Sequence, residues 1–424
     1  MVNRLHFILF LLVPALTVNA STADVTDTHT AIFEPLFHTL QTKVNGNDQL
    51  PPVIMLNSDD LLNISFDELS SDRRYMRYEL IHCDAAWRPD RLLPNEYVEG
   101  FNEGTIDDFS FSEATLVQYI HYRLLIPSPG MAIKLSGNYL LRVYDETTPD
   151  DTILQIRFRV AEPAMKASAS VTSRTDTDYN GSHQQLTISV DTKGIPTNDI
   201  FNDVIVTVEQ NGRTDNAVTI AGPSRIAGST AWWEHNRALI FPAGNEYRRM
   251  ETVSTTYPGM GIADISFEEP FYHITLITDE SRATSPYTYD QTQHGRFRVR
   301  RLDADNSDTE AEYVMVHFTL DMPELADADI FIDGDFTQRR FSPESLMTYN
   351  RATNRYEASM LLKQGAYNYQ YITVGRSGQT IGQTAAVEGD KYPTVNEYLV
   401  SVYYRQPGSR YDRLVAVTQA FSGK

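Results

Sequence analysis

Ile153-Leu154-Gln155-Ile156-Arg157-Phe158-Arg159-Val160 alternates apolar and polar side chains over its last seven positions. Successive strand residues point to opposite faces, so Leu154, Ile156, Phe158 and Val160 share one face and Gln155, Arg157 and Arg159 the other. That is the pattern of an antiparallel strand buried on one side. The same period of two recurs outward in both directions. It runs through Leu62, Ile64 and Phe66, through Met76, Tyr78 and Leu80, and through Leu186, Ile188 and Val190. It continues through Val204, Val206 and Val208, then Val314, Val316, Phe318 and Leu320, and finally Tyr367, Tyr369 and Tyr371, with Asn368 and Gln370 facing the other way. Convincing 3.6-residue periodicity is absent over any long segment, leaving only short helical turns expected near Leu116–Tyr119 and Pro343–Met347. Many short strands with turn signals between them predict an all-β chain of stacked β-sandwiches.

At 424 residues the chain has room for three domains of about 100–200 residues each. Glu162-Pro163 closes a first unit, expected over 31–163, which carries a long polar and aromatic insertion from Asp84 to Ala114. A middle unit is expected over 164–302. The acidic run Asp303–Glu312 lacks apolar periodicity and reads as a boundary, leaving a C-terminal unit over 313–424. Within it, Lys363-Gln364-Gly365 is expected to turn a hairpin.

The amino terminus has one basic residue, Arg4, ahead of an apolar run from Leu5 to Val18, and Val18-Asn19-Ala20 fits a cleavage site. A secretory signal peptide over 1–20, removed after Ala20, is expected. No later stretch approaches the ~18 apolar residues of a membrane helix, so no direct membrane span is expected. A formal charge of −20 disfavours nucleic acid and anionic lipid as partners. Arg296, Arg298, Arg300 and Arg301 form a local basic run, read as the outward face of a strand. Cys83 is the single cysteine, which excludes an internal disulfide; it reads as a small buried residue at a strand end.

Catalytic and metal patterns are missing. The ten histidines include no pair at metal-ligand spacing, and there is no nucleophile elbow or phosphate-binding Gly-Lys-Ser/Thr loop. The doublets Asp59-Asp60, Asp107-Asp108 and Asp150-Asp151 read as solvated turns, and Asp333-Gly334-Asp335 as a β-turn lacking the rest of a calcium loop. No cofactor, metal or catalytic residue is therefore assigned. Trp232-Trp233 stand next to each other, so one is expected in the core while the other can face outward.

Ile330–Gln338 (IFIDGDFTQ) followed by Met347–Ile372 resembles the early-set, immunoglobulin-like sandwiches attached to glycan enzymes, although Arg339 stands where those carry a tryptophan. Glycan binding by this unit is the alternative function, with Trp232 and Tyr369 as its test residues. A broader resemblance covers nearly the whole chain. Tyr78–Trp87 (YELIHCDAAW), Glu96–Glu103 (EYVEGFNE), Tyr119–Tyr122 (YIHY), Ser136–Tyr144 (SGNYLLRVY), Arg248–Gly261 (RRMETVSTTYPGMG) and Phe331–Gln338 (FIDGDFTQ) are similar, in order, to the plug-protein family of the type IX secretion system. The resemblance implies a non-enzymatic periplasmic protein at the inner face of the outer membrane. Such a protein closes the periplasmic opening of a large outer-membrane β-barrel translocon when no cargo occupies it. A monomeric state when free is expected. Asp84–Ala114 is the first candidate for a contact surface, because long loops in compact domains are often functional; a lid over its own domain is the other reading.

Overall fold

The computed structural model describes residues 27–195, 197 and 199–423; the expected signal peptide lies outside them. The chain is predominantly β-strand, arranged in several sheets, and its helical segments are single turns such as Pro94–Tyr97, Ile200–Asp203 and Ser307–Glu310. The turns expected at 116–119 and 343–347 are bends and a turn, the second running into the strand Leu346–Asn350.

The strand read first, Thr148–Ala161, sits inside one sheet of the first unit. Gly137–Asp145 pairs with it antiparallel on one edge. On the other edge lie Ala31–Ile32, antiparallel, and Val53–Met55, parallel. Met76–Cys83 and Glu103–Thr105 extend the sheet. A second sheet runs Phe37–Val44, Leu62–Glu68, Ile120–Ile126, Asp108–Phe111. Both sheets feed one apolar cluster, in which Leu154, Ile156, Phe158 and Val160 meet Leu62, Ile64, Phe66 and Tyr122. Each such fully buried side chain contributes about 1.5–3 kcal/mol.

The opposite face of Thr148–Ala161 differs from the one-sided expectation. Gln155 and Arg159 are buried too. The second unit packs there, and Arg159 donates to the Glu209 carboxylate and to the Tyr403 hydroxyl. Polar alternation therefore marks a face that meets a polar junction, since paired side chains tolerate burial.

The sheets also cross the boundaries expected at 302 and 313. Val204–Gln210 pairs antiparallel with Glu397–Tyr404, which pairs with Arg413–Phe421. These last two strands complete the middle core, where Val204, Val206 and Val208 meet Tyr398, Val400 and Val402. Conversely, Arg248–Glu251 and Phe297–Val299 pair with Gly365–Gly375, and Phe271–Leu276 lies parallel to Tyr313–Asp321. Residues 248–299 thus belong to the third core. The acidic run 303–312 is no linker: Asn306 caps the turn Ser307–Glu310, and Ala311 and Glu312 are buried. The expected hairpin is also absent. Arg355–Lys363 pairs with Tyr313–Asp321 and Leu346–Asn350, whereas Gly365–Gly375 pairs elsewhere. At the corner a Cβ on Gly365 would lie 2.5 Å from the Arg298 carbonyl oxygen, so the chain passes another strand there instead of turning back.

Candidate functional site

The insertion Asp84–Ala114 is ordered by its own hydrogen bonds. Asp84 accepts from the backbone amides of Ala86 and Arg88, making a tight turn that holds Trp87 at φ 62°. Pro94 opens the helical turn Pro94–Tyr97, and the Glu96 carboxylate accepts from the Leu93 amide, a local N-terminal cap. Val98–Gly100 then pairs with Met131–Ile133. Tyr97, Val98 and Ile106 point into the first core, and the Tyr97 hydroxyl donates to the Leu80 carbonyl at 2.9 Å. Most of the insertion is thus a lid on its own unit.

What it leaves outside is apolar. Leu93 and Phe101 are exposed, Phe101 to 79%. Phe101 does not ride on a loose loop. Gly100 has φ +93°, and a Cβ there would lie 2.2 Å from the Gly130 carbonyl oxygen, to which the Phe101 amide donates at 3.1 Å. Only glycine fits that approach. The arrangement presents a large apolar side chain on a fixed backbone, which lowers the ordering cost of a contact.

A buried charge cluster ties the first unit to the third. Asp67 accepts from Lys363 Nζ at 2.6 Å and from the Tyr313 hydroxyl at 2.7 Å, and His121 Nδ1 lies 2.6 Å from its carboxylate. Neither Asp67 nor Lys363 has an exposed side chain. Lys363 also donates to the Asp308 carbonyl and sits 4.0 Å from the centre of the Tyr119 ring. Burial alone would raise the Asp67 carboxyl; the Lys363 cation and His121 outweigh it and hold it below the usual carboxylate range. Burial pulls Lys363 down from its ordinary value, against the attraction of Asp67. Alongside, Glu312 accepts from the amides of Leu116 and Val117, and the Tyr119 hydroxyl donates to the Ala311 carbonyl. Breaking one partner of such a pair strands a charge, so the cluster resists separation of the two units.

The residues singled out in sequence fall as follows. Cys83 is fully buried and its thiol is pushed up to about 12 by burial, which makes it unreactive. Trp233 lies in the middle core; Trp232 is half-buried, with the Arg225 guanidinium 4.8 Å over its ring. Tyr367, Tyr369 and Tyr371 are all buried, and Tyr369 donates to Asp279. Neither glycan test residue therefore offers an open aromatic face. Arg339 is buried against Asp333, Asp335 and the Tyr247 hydroxyl, so a guanidinium occupies the carboxylates of the Asp-Gly-Asp turn. Arg298 and Arg300 are exposed while Phe297 and Val299 are buried, and Arg296 binds Glu397 with two hydrogen bonds. Asp107 and Asp108 pair with Arg73 and Arg123. Among the described residues no group of three or more His, Cys, Asp or Glu side chains is placed to hold a metal ion, and no helix is long and apolar enough to cross a membrane.

Sequence reading missed the junction. Asp67 and Lys363 are 296 positions apart, and each follows an apolar alternation as an ordinary strand-end charge would.

Residues 37–162, the unit that carries Asp67, the insertion and Phe101, match the family described as "Type 9 secretion system plug protein 1st domain". The chain belongs to the type 9 secretion system plug protein family. A crystal structure of a hypothetical protein from Parabacteroides merdae is 44% identical, covers 93% of this chain and 99% of its own, and superposes with a TM-score of 0.91. That neighbour extends the likeness of this plug-family chain across all three cores. An alkylpurine DNA glycosylase from Pseudomonas fluorescens bound to DNA matches 29% of each chain at 12% identity and a TM-score of 0.17, too slight to bear on the plug fold. No curated protein matches the chain.

Proposed function

We propose that this protein is a non-enzymatic periplasmic plug that closes the periplasmic opening of a type IX secretion outer-membrane translocon when no cargo occupies it. The observation that carries this reading is the plug-family match over 37–162, in a unit locked to the remainder by the buried Asp67–Lys363 pair. A stopper needs a rigid body and a broad surface; a stable contact buries about 1,200–2,000 Å² in all. Three β-sandwich units of immunoglobulin-like or early-set type, fixed at charged junctions, supply both. The contact centres on Phe101 and Leu93, and the occupant is the periplasmic rim of a large outer-membrane β-barrel. The exported chain, freed of its signal peptide after Ala20, is a monomer until it docks there.

Deleting the gene tests the reading in cells. Permeability of the outer membrane to large hydrophilic solutes should rise, and wild-type protein supplied in trans should restore the barrier. Unchanged permeability in cells that retain the translocon would contradict it.

A further inference from the structure

A cleft of about 190 Å³ opens where the three units meet; its lining includes the apolar side chains of Trp87, Leu40, Leu50 and Leu399 and both cationic and carboxylate side chains, Arg157 and Arg159 among the former. One water needs only about 10–15 Å³, so the cleft has room for a small organic molecule. Both guanidiniums lie against the Trp87 ring, at 4.5 and 5.0 Å from its centre. Their partners differ. Arg159 grips the Glu209 carboxylate with two hydrogen bonds. Arg157 donates only to neutral oxygens, the Thr28 carbonyl at 2.6 Å and the Thr28 hydroxyl at 2.9 Å. Among the described residues no carboxylate lies within ion-pair distance of it, whereas Arg159, Arg296 and Arg339 around the same cleft each have at least one.

We propose that this cleft binds the carboxylate of a small, partly apolar acid through Arg157. A guanidinium is planar, always charged, and matched to two carboxylate oxygens. Here it is fixed in place by Thr28 and Trp87 before any ligand arrives. The walls of Trp87, Leu40, Leu50 and Leu399 suit an aliphatic group attached to the acid. Burial depresses Arg157 to about 10, although the Glu209 and Asp27 carboxylates, beyond ion-pair distance, pull the other way. The shared ligand chemistry has two sources, a free branched-chain acid or the terminal carboxylate of a peptide chain. The site does not depend on the plug reading.

Calorimetry on the full-length mature chain tests this with N-acetyl-leucine, N-acetyl-leucinamide and 4-methylpentanoate. At least one of the two acids should bind with a Kd of about 1 mM or tighter. The amide should bind at least ten-fold more weakly than the N-acetylated acid if the peptide terminus is the source. Tighter binding of N-acetyl-leucine assigns that source, and equal or tighter binding of 4-methylpentanoate assigns a free acid. Arg157→Gln, with an unchanged far-ultraviolet spectrum, should abolish acid binding, and Arg157→Lys should weaken it. The comparison of acid with amide on unaltered protein stands even if the Gln variant misfolds. Absence of heat with both acids, an amide that binds as tightly as a bound N-acetyl-leucine, or full acid binding by folded Arg157→Gln would each overturn the proposal.

Discussion

Asp67 and Lys363 lie 296 positions apart in the chain and meet at 2.6 Å, with neither side chain exposed. The pair joins the family-matched first unit to the third core through a contact closed to solvent. Replacing Lys363 with Met leaves a buried carboxylate with only the Tyr313 hydroxyl and His121 beside it. The expected loss is about 3–5 kcal/mol, read as a lower urea midpoint. The double variant Asp67→Leu/Lys363→Met should lose less than the sum of its two single variants, because it strands no charge. A Lys363→Met protein as stable as wild type would show the pair to be incidental.

Stability should fall on mild acidification because of His294. Its imidazole is pushed down to about 4, by burial first and against the pull of Glu397, and among the described residues its Nδ1 has no hydrogen-bond partner. The unfolded side chain takes a proton near pH 6.5, whereas the folded one refuses it until about 4. Between those values the unfolded state binds more protons, so stability is lost as pH drops, by up to about 3 kcal/mol. Below that window, Asp67 and Glu388 take over. Burial alone would raise both, but Lys363 and Arg248 outweigh it and hold them below the usual range. Their contribution is present above the unfolded carboxyl pKa of about 4 and disappears as pH falls through the folded values. Melting temperatures from pH 7 down to about pH 2 check this. His294→Gln should flatten the upper part of the curve; an identical slope in the variant would rule His294 out as its cause.

Gly100 and Gly46 separate backbone strain from steric conflict. Both have positive φ, +93° and +78°, but a Cβ at Gly46 meets open space while one at Gly100 meets the Gly130 carbonyl at 2.2 Å. Gly46→Ala should cost about 1 kcal/mol, from strain alone. Gly100→Ala should cost more, by about 1–2 kcal/mol, because the Phe101 turn must move. Differential scanning calorimetry of the two variants makes the comparison, and equal costs would mean the turn is not held as tightly as its geometry implies.

Much of the fold is legible in sequence, and the reason is local. Alternations such as Leu154, Ile156, Phe158, Val160 and Tyr367, Tyr369, Tyr371 set which side of a strand enters a core whatever it pairs with, and each of these side chains is buried. Pairing across distance leaves no such trace. Nothing near Val204–Gln210 indicates that its neighbour is Glu397–Tyr404, so the middle and last units, divided in chain order, are interleaved in space. Polar residues misled for a related reason. Gln155, Arg159 and Glu312 look like surface positions, but hydrogen bonds satisfy each in burial, Gln155 under the N-terminal segment and the other two at junctions between units. The candidate surface was half legible: the length and composition of Asp84–Ala114 mark it out, while the exposure of Phe101 and the burial of Tyr97 depend on the Gly100–Gly130 contact.

Capture of the translocon tests the central claim most directly. Tagged mature protein, incubated with outer membranes in mild detergent, should retain a large β-barrel protein. Phe101→Asp, with an unchanged melting temperature, should lose at least 2 kcal/mol of that affinity, roughly thirty-fold, as expected of a central apolar anchor. Retention of no barrel by the wild-type protein would contradict the plug account itself.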